Sequence, residues 1–125
     1  MKDYLSRKIP HIKEIVIKDD YIIFRMIGSV DMLTIPAFPD PPRNNKKMIN
    51  KHIIIDFCDV DNIDSATLAS LVAILFELKE AKRKLAIINA TSLLRRYIDI
   101  LQLGSIVKIY RNEKAAIKDF GLFRE

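Results

Sequence analysis

The chain has 125 residues, of which half are hydrophobic and 30% are charged. This length fits one compact domain, which we expect to span residues 1–125. The single cysteine, Cys58, excludes an internal disulfide. The longest uncharged run, Ser65–Phe76, is shorter than the roughly 18 residues of a membrane-spanning helix, and no secretory signal opens the chain. We therefore expect a soluble cytoplasmic protein.

Basic residues outnumber acidic ones by 21 to 16, which gives a net charge of +5. They occur in short groups and are not interleaved with aromatic side chains, as single-strand nucleic-acid binding would require. We therefore predict solvated basic faces and no nucleic-acid partner. The groups are Arg43–Lys47, Lys79–Lys84 and Arg95–Arg96.

Alternating apolar residues predict two strands near the start of the chain. The first covers Ile12–Ile17 and the second covers Tyr21–Met26, with a turn at Asp19–Asp20 between them. Gly28 is predicted to end their pairing.

A short helix is predicted after these strands, because Thr34 can cap it and Pro36 has the backbone angle of a first turn. Three prolines between residues 39 and 42 then prevent a longer helix. We interpret Phe38–Lys47 as an exposed loop.

Strands and helices alternate in the rest of the chain. The apolar run His52–Val60 predicts a strand that is covered on both faces. The next segment, Ser65–Lys82, predicts a helix with one apolar stripe, made of Leu68, Leu71, Val72, Leu75 and Phe76.

Two more strand–helix pairs follow. Residues 84–90 and 106–110 predict strands, and residues 113–123 a closing helix. Between them, residues 91–103 predict an amphipathic helix with Leu94, Ile98 and Leu101 on one face. This alternation predicts an α/β fold in which a mixed sheet, with its later strands largely parallel, carries packed helices.

Ser65 follows Asp64 where a helix begins after a strand, a place where α/β folds usually have their sites. Three roles are open for this serine: a helix cap, a nucleophile or a modification site. The Gly-x-Ser-x-Gly pattern is missing and His52 opens the strand at its far end, so we expect no hydrolase. Serine and aspartate are both favoured caps. If Asp64 is the cap, the Ser65 hydroxyl points outward.

Four aspartates between residues 56 and 64 raise the question of a metal site. The glycine and glutamate that a calcium-binding loop requires are missing at the corresponding positions. We predict no metal site, and expect Asp59 and Asp61 to shape the turn after the strand. Three scattered glycines cannot form a phosphate-binding loop, and we predict no cofactor.

The stretch HIIIDFCDVDNIDSATLASL, residues 52–71, resembles the signature of STAS domains. These domains form anti-sigma factor antagonists and the cytoplasmic tails of SulP-type anion transporters. Gly28 and Asp31 are similar to an upstream motif of the family, and Thr67 replaces its usual glycine. The resemblance covers roughly residues 12–118, and the residues that match its central signature are Asp56, Ile63, Asp64, Ser65, Ala66 and Leu68.

The resemblance implies a non-enzymatic bacterial regulator of transcription that acts by partner switching. In such antagonists a kinase partner of the anti-sigma factor type phosphorylates the serine that corresponds to Ser65. An alternative is a subunit of a membrane transport complex in which Ser65 is only a cap, and another is nucleotide binding by the domain itself. The expected partner-binding residues are Asp31, Asp64, Ser65, Ala66, Thr67, Ala69 and Ser70.

Overall fold

The computed structural model describes residues 12–30 and 51–122. In these two ranges five strands and three helices follow one another in the predicted order, and from β3 onward they alternate. The predicted short helix, the Phe38–Lys47 loop and Asp31 lie outside the described residues. The elements are β1 (Ile12–Ile17), β2 (Tyr21–Val30), β3 (His52–Ile63), α1 (Ala66–Glu80), β4 (Leu85–Ile88), α2 (Ser92–Ile100), β5 (Lys108–Tyr110) and α3 (Glu113–Asp119).

The strands form one sheet in the order β1-β2-β3-β4-β5. β1 and β2 are antiparallel and are joined by a tight turn, in which the Lys18 amide donates to the Tyr21 carbonyl. All other pairs are parallel, and α1 and α2 make the two crossovers beyond β3. The predicted mixed sheet is confirmed.

Apolar side chains alternate between the two faces of the central strands, and each face has its own core. On one face α1 and α2 pack against the sheet, with buried Leu71 and Leu94 near Phe24. On the other face α3 covers a smaller cluster, to which Ala116, Ile54 and Ile88 belong. Since both faces are covered, β3 opens with the continuous apolar run Ile53–Ile55, which is fully buried.

β2 and β3 are longer than predicted. Gly28 lies inside β2 and pairs with Val60, and a register shift follows directly after it. The φ angle of Gly28 is +81°. Glycine tolerates this conformation, so it accommodates a bulge, and β2 stays paired with β3 as far as Val30. In the described part of the chain, the pairs of β2 with β1 end at Met26, before Gly28. β3 runs to Ile63, and the prediction that Asp59 and Asp61 shape a turn is wrong because both lie within this strand.

Two apolar residues that were predicted to face the core are exposed. Phe76 is 53% exposed, whereas Ile74 and Leu78 of the same helix are buried. At about 100° per residue, Phe76 lies about 140° around α1 from Leu71 and so faces away from the sheet. Leu101 is 50% exposed because α2 ends at the preceding residue.

Candidate functional site

Helix α1 begins under an aspartate cap. The Asp64 Oδ1 atom accepts a hydrogen bond from the Thr67 amide at 2.9 Å and another from the Thr67 hydroxyl at 2.7 Å. The carboxylate thereby satisfies one of the amides that have no partner in the first turn of a helix. Asp64 therefore has the capping role that the sequence predicts for it.

Ser65 lies directly before α1 and is exposed. Its backbone is already helical, with φ −68° and ψ −26°, and its side chain makes no capping hydrogen bond. This geometry excludes Ser65 as the cap. The hydroxyl is in contact with solvent at the positive end of the helix dipole.

Thr67 does not belong to the exposed contact face that we predicted. Its side chain is fully buried, and its hydroxyl also lies 3.4 Å from the Val30 carbonyl oxygen at the end of β2. The Asp64 amide donates to the same carbonyl at 3.3 Å. Thr67 is thus an internal connection between the start of α1 and the end of β2. The feature of the sequence that indicates this role is the position of Thr67, three residues after the capping Asp64.

Asp31 lies outside the described residues, and the other five predicted contact residues lie together at the start of α1, on a surface that we call the Ser65 face. Asp64, Ser65 and Ala69 are exposed, and Ala66 and Ser70 are half-buried. Their side chains are short, so another molecule can approach the backbone of the first turns closely. No acidic residue lies in the first turn of α1 itself.

Among the described residues, His52 is the histidine available to act as a base, and it is remote from Ser65. It begins β3, whereas Ser65 follows the far end of this twelve-residue strand, which spans roughly 36 Å at about 3.3 Å per residue. The His52 Nδ1 atom accepts a hydrogen bond from the Lys84 amide at 3.0 Å. Within residues 12–30 and 51–122, no cluster of three or more metal-ligating side chains occurs.

Asp56, a residue of the STAS-like signature, is the centre of a buried polar network whose contacts the sequence did not predict. It is 6% exposed, and its Oδ2 atom lies 2.7 Å from the Arg25 Nη1 atom. Its Oδ1 atom accepts from the Asn89 side chain and from the Cys58 amide, both at 2.9 Å. The carboxylate is therefore paired and hydrogen-bonded, as a buried charge must be.

Arg25 extends this network to the neighbouring strand β1 and to helix α3. Its guanidinium also contacts Glu14 in β1 at 3.1 Å and Glu113 in α3 at 3.3 Å. Burial opposes the charge, but the hydrogen bonds to Asp56 and Glu113 outweigh this effect and raise the pKa of Arg25. The network joins four elements and is structural.

No helix in the described ranges is both long enough and apolar enough to cross a membrane. The mixed sheet, together with an aspartate-capped helix after its central strand and an exposed serine beside that cap, defines a module of the STAS type. The sequence model of the STAS domain matches residues 13–116, and the chain belongs to the STAS domain family. No curated protein matches the chain.

Solved structures of two other proteins share this fold. TM1081 from Thermotoga maritima, a candidate anti-sigma factor antagonist, is 25% identical with a TM-score of 0.74, over 86% of this chain and 92% of TM1081. The anti-sigma factor antagonist SpoIIAA in its unphosphorylated form is 16% identical with a TM-score of 0.68, over 89% of this chain and 98% of SpoIIAA. The phosphorylated form of SpoIIAA from Bacillus is 15% identical with a TM-score of 0.62, over 85% of this chain and 97% of that structure.

Proposed function

We propose that this protein is a regulatory protein-binding module whose binding is switched by phosphorylation of Ser65. The observation that carries the proposal is the division of roles at the start of α1. Asp64 caps the helix, so the neighbouring Ser65 side chain is not needed for capping. Ser65 is also exposed. Membership of the STAS family and the likeness to anti-sigma factor antagonists support a regulatory role.

A phosphate at Ser65 would alter the surface and leave the helix in place. It adds about −1.5 to −2 charges at neutral pH. Backbone amides and the dipole at a helix start stabilise negative charge, so α1 remains folded. On the Ser65 face, however, the phosphate adds bulk and lies beside the Asp64 carboxylate. A partner that docks on the short side chains there is displaced.

The proposed partner is a protein of the anti-sigma factor type with serine kinase activity, and both proteins act in the cytoplasm. In this account the STAS chain performs no catalysis. The kinase approaches the Ser65 face and transfers the γ-phosphoryl group of its bound ATP to the exposed hydroxyl, which loses its proton, and the kinase then dissociates with ADP as the other product. The unmodified chain binds and the modified chain is released.

The test uses the serine kinases of this type that are encoded in the same genome. Each is mixed with the full chain, and its dissociation constant is measured with parent, Ser65→Ala and Ser65→Asp proteins. We expect one kinase to bind the parent and Ser65→Ala alike, and to bind Ser65→Asp at least tenfold more weakly. Equal binding of Ser65→Asp and the parent contradicts the proposal.

Ser92 provides a matched control. It is an exposed serine at the start of α2 and directly follows the capping residue of that helix, Thr91, whose hydroxyl accepts from the Leu94 amide at 3.1 Å. Its position therefore reproduces the local geometry of Ser65 on a different part of the surface. We expect Ser92→Asp to bind the kinase as the parent does. Equal weakening by the two aspartates would refute a specific role of the Ser65 face.

A further inference from the structure

A groove of about 430 Å³ lies at the end of the sheet that is opposite to Ser65. It runs between the second half of α1, the starts of β4 and β5, and the end of α3. Nothing in the proposed switch uses this region.

Four apolar residues line the groove, and we refer to them together as its floor: Leu75, Phe76, Leu85 and Ile106. Phe76 is 53% exposed and Ile106 is 37% exposed, although both are large apolar residues. These two exposed side chains offer an apolar surface on which a ligand's apolar group can pack.

The groove is also lined by cationic residues, which we refer to together as its rim. Five basic residues line the groove, with one acidic residue, Asp119. Asp119 is already engaged, because it accepts from the Tyr110 hydroxyl and its carboxylate lies 3.8 Å from the Lys84 ammonium. The five are Lys79, Lys82, Arg83, Lys84 and Lys108.

Three of these cations carry charge that the described part of the chain does not neutralise. The ammonium groups of Lys79, Lys82 and Lys108 have no hydrogen-bond or ion-pair partner among the described residues. The backbone of the rim is fixed, since the Lys82 amide donates to Lys79 and the Arg83 amide donates to the Leu78 carbonyl at 2.7 Å. This closing turn holds Lys82 at φ +61°, a conformation that usually favours glycine.

The size of the groove favours a small molecule over a protein. Ligand pockets have volumes of about 300–1,000 Å³, whereas a protein interface uses roughly 20–30 residues on each side. Twelve residues line this groove. Its apolar floor fits an alkyl chain, and a cluster of lysines fits a doubly charged phosphate better than a single carboxylate. We propose that the groove binds an alkyl phosphate, with its chain on Phe76 and its head at the lysine rim.

Calorimetric titration of the full chain with octyl phosphate, below its micelle concentration, tests this site. We expect one molecule to bind per chain, and the affinity to fall as ionic strength rises. Octanoate should bind several-fold more weakly, and octanol and inorganic phosphate at least tenfold more weakly. Equal binding of inorganic phosphate or of octanol would overturn the proposal. Binding to phosphatidylglycerol vesicles without binding of octyl phosphate would overturn it in favour of a membrane surface.

Substitutions at exposed positions test where on the surface octyl phosphate binds. Phe76→Ser and the double change Lys82→Glu, Lys108→Glu should each weaken octyl phosphate binding at least tenfold. The matched controls on α2 are Ile100→Ser, which is 66% exposed in the parent, and Arg95→Glu with Arg96→Glu. These should bind as the parent does, and equal weakening by controls and groove variants would overturn the assignment. Ser65→Ala should also bind normally, so this test and the test of the switch fail independently.

Discussion

The Asp64 carboxylate accepts both the amide and the hydroxyl of Thr67, at 2.9 and 2.7 Å. One oxygen atom of the aspartate thus holds the buried threonine and closes the first turn of α1. Ser65, between them in the chain, takes no part in this arrangement and is exposed. The stability of the helix start and the availability of the serine are therefore separate properties of neighbouring residues.

This separation predicts unequal effects of two alanine substitutions. Asp64→Ala removes the cap and should lower the free energy of unfolding by about 1 kcal/mol. Ser65→Ala removes an exposed hydroxyl and should change it by less than ~0.5 kcal/mol. Urea unfolding measures both, and Asp61→Ala, an exposed aspartate within β3, serves as the control for loss of a carboxylate. A larger loss for Ser65→Ala than for Asp64→Ala would contradict the assignment of the cap.

A negative charge at position 65 should leave the fold intact. The dipole of α1 favours an anion at its start by about 0.3–1 kcal/mol, and repulsion from Asp64 opposes this. We expect Ser65→Asp to lower the free energy of unfolding by no more than ~0.5 kcal/mol, and Ser65→Lys to lower it further. Circular dichroism and urea unfolding test this. A loss above ~1.5 kcal/mol for Ser65→Asp would mean that charge disrupts the helix, and would remove the basis of a surface switch.

Loss of the Arg25 side chain should destabilise the protein strongly. The buried Asp56 carboxylate then keeps its remaining hydrogen bonds but has lost the cation that neutralises it. We expect Arg25→Met to cost about 2 kcal/mol, less than for a fully buried ion pair because 28% of the arginine side chain is exposed. The control is Lys13→Met, which removes the exposed ion pair with Asp59 and should cost much less than Arg25→Met because solvent screens that pair. Equal losses in urea unfolding would show that the network does not stabilise the fold.

His52 should make stability depend on pH. Burial, followed by the charges of Arg83 and Lys84, lowers its pKa below the ordinary value of about 6.5. Asp20 only partly offsets these effects. Between the folded and the unfolded pKa the unfolded chain binds more protons, so stability is complete above about pH 6.5 and falls as the pH drops below it. Protonation at Nδ1 would also remove the acceptor for the Lys84 amide.

The variant His52→Phe isolates this contribution. Phenylalanine can retain the stacking on Phe120, whose ring centroid lies 4.5 Å from that of His52, but it cannot titrate. Urea unfolding between about pH 7.5 and pH 5.5 should show a smaller loss of stability in the variant than in the parent. His11 is present in both proteins and does not affect the difference. Identical losses would show that His52 does not contribute.

The sequence was sufficient for the order of the elements and for the aspartate cap, because apolar periodicity and capping preferences are local. It was insufficient where distant contacts decide. The continuation of β2 through Gly28 depends on a bulge against β3, and alternation along one strand cannot reveal it. The burial of Thr67 depends on the Val30 carbonyl in another element. The pairing of Arg25 with Asp56 required the register of two strands that are far apart in sequence.

The most direct test of the switch is phosphosite mapping of the chain isolated from its own cells. We predict that mass spectrometry finds a phosphate on the peptide that contains Ser65, that the modified fraction changes with growth conditions, and that Ser65→Ala abolishes it while Ser92→Ala does not. An unmodified Ser65 under all conditions, in a chain that purifies with a membrane complex, would contradict the account and favour a structural subunit in its place.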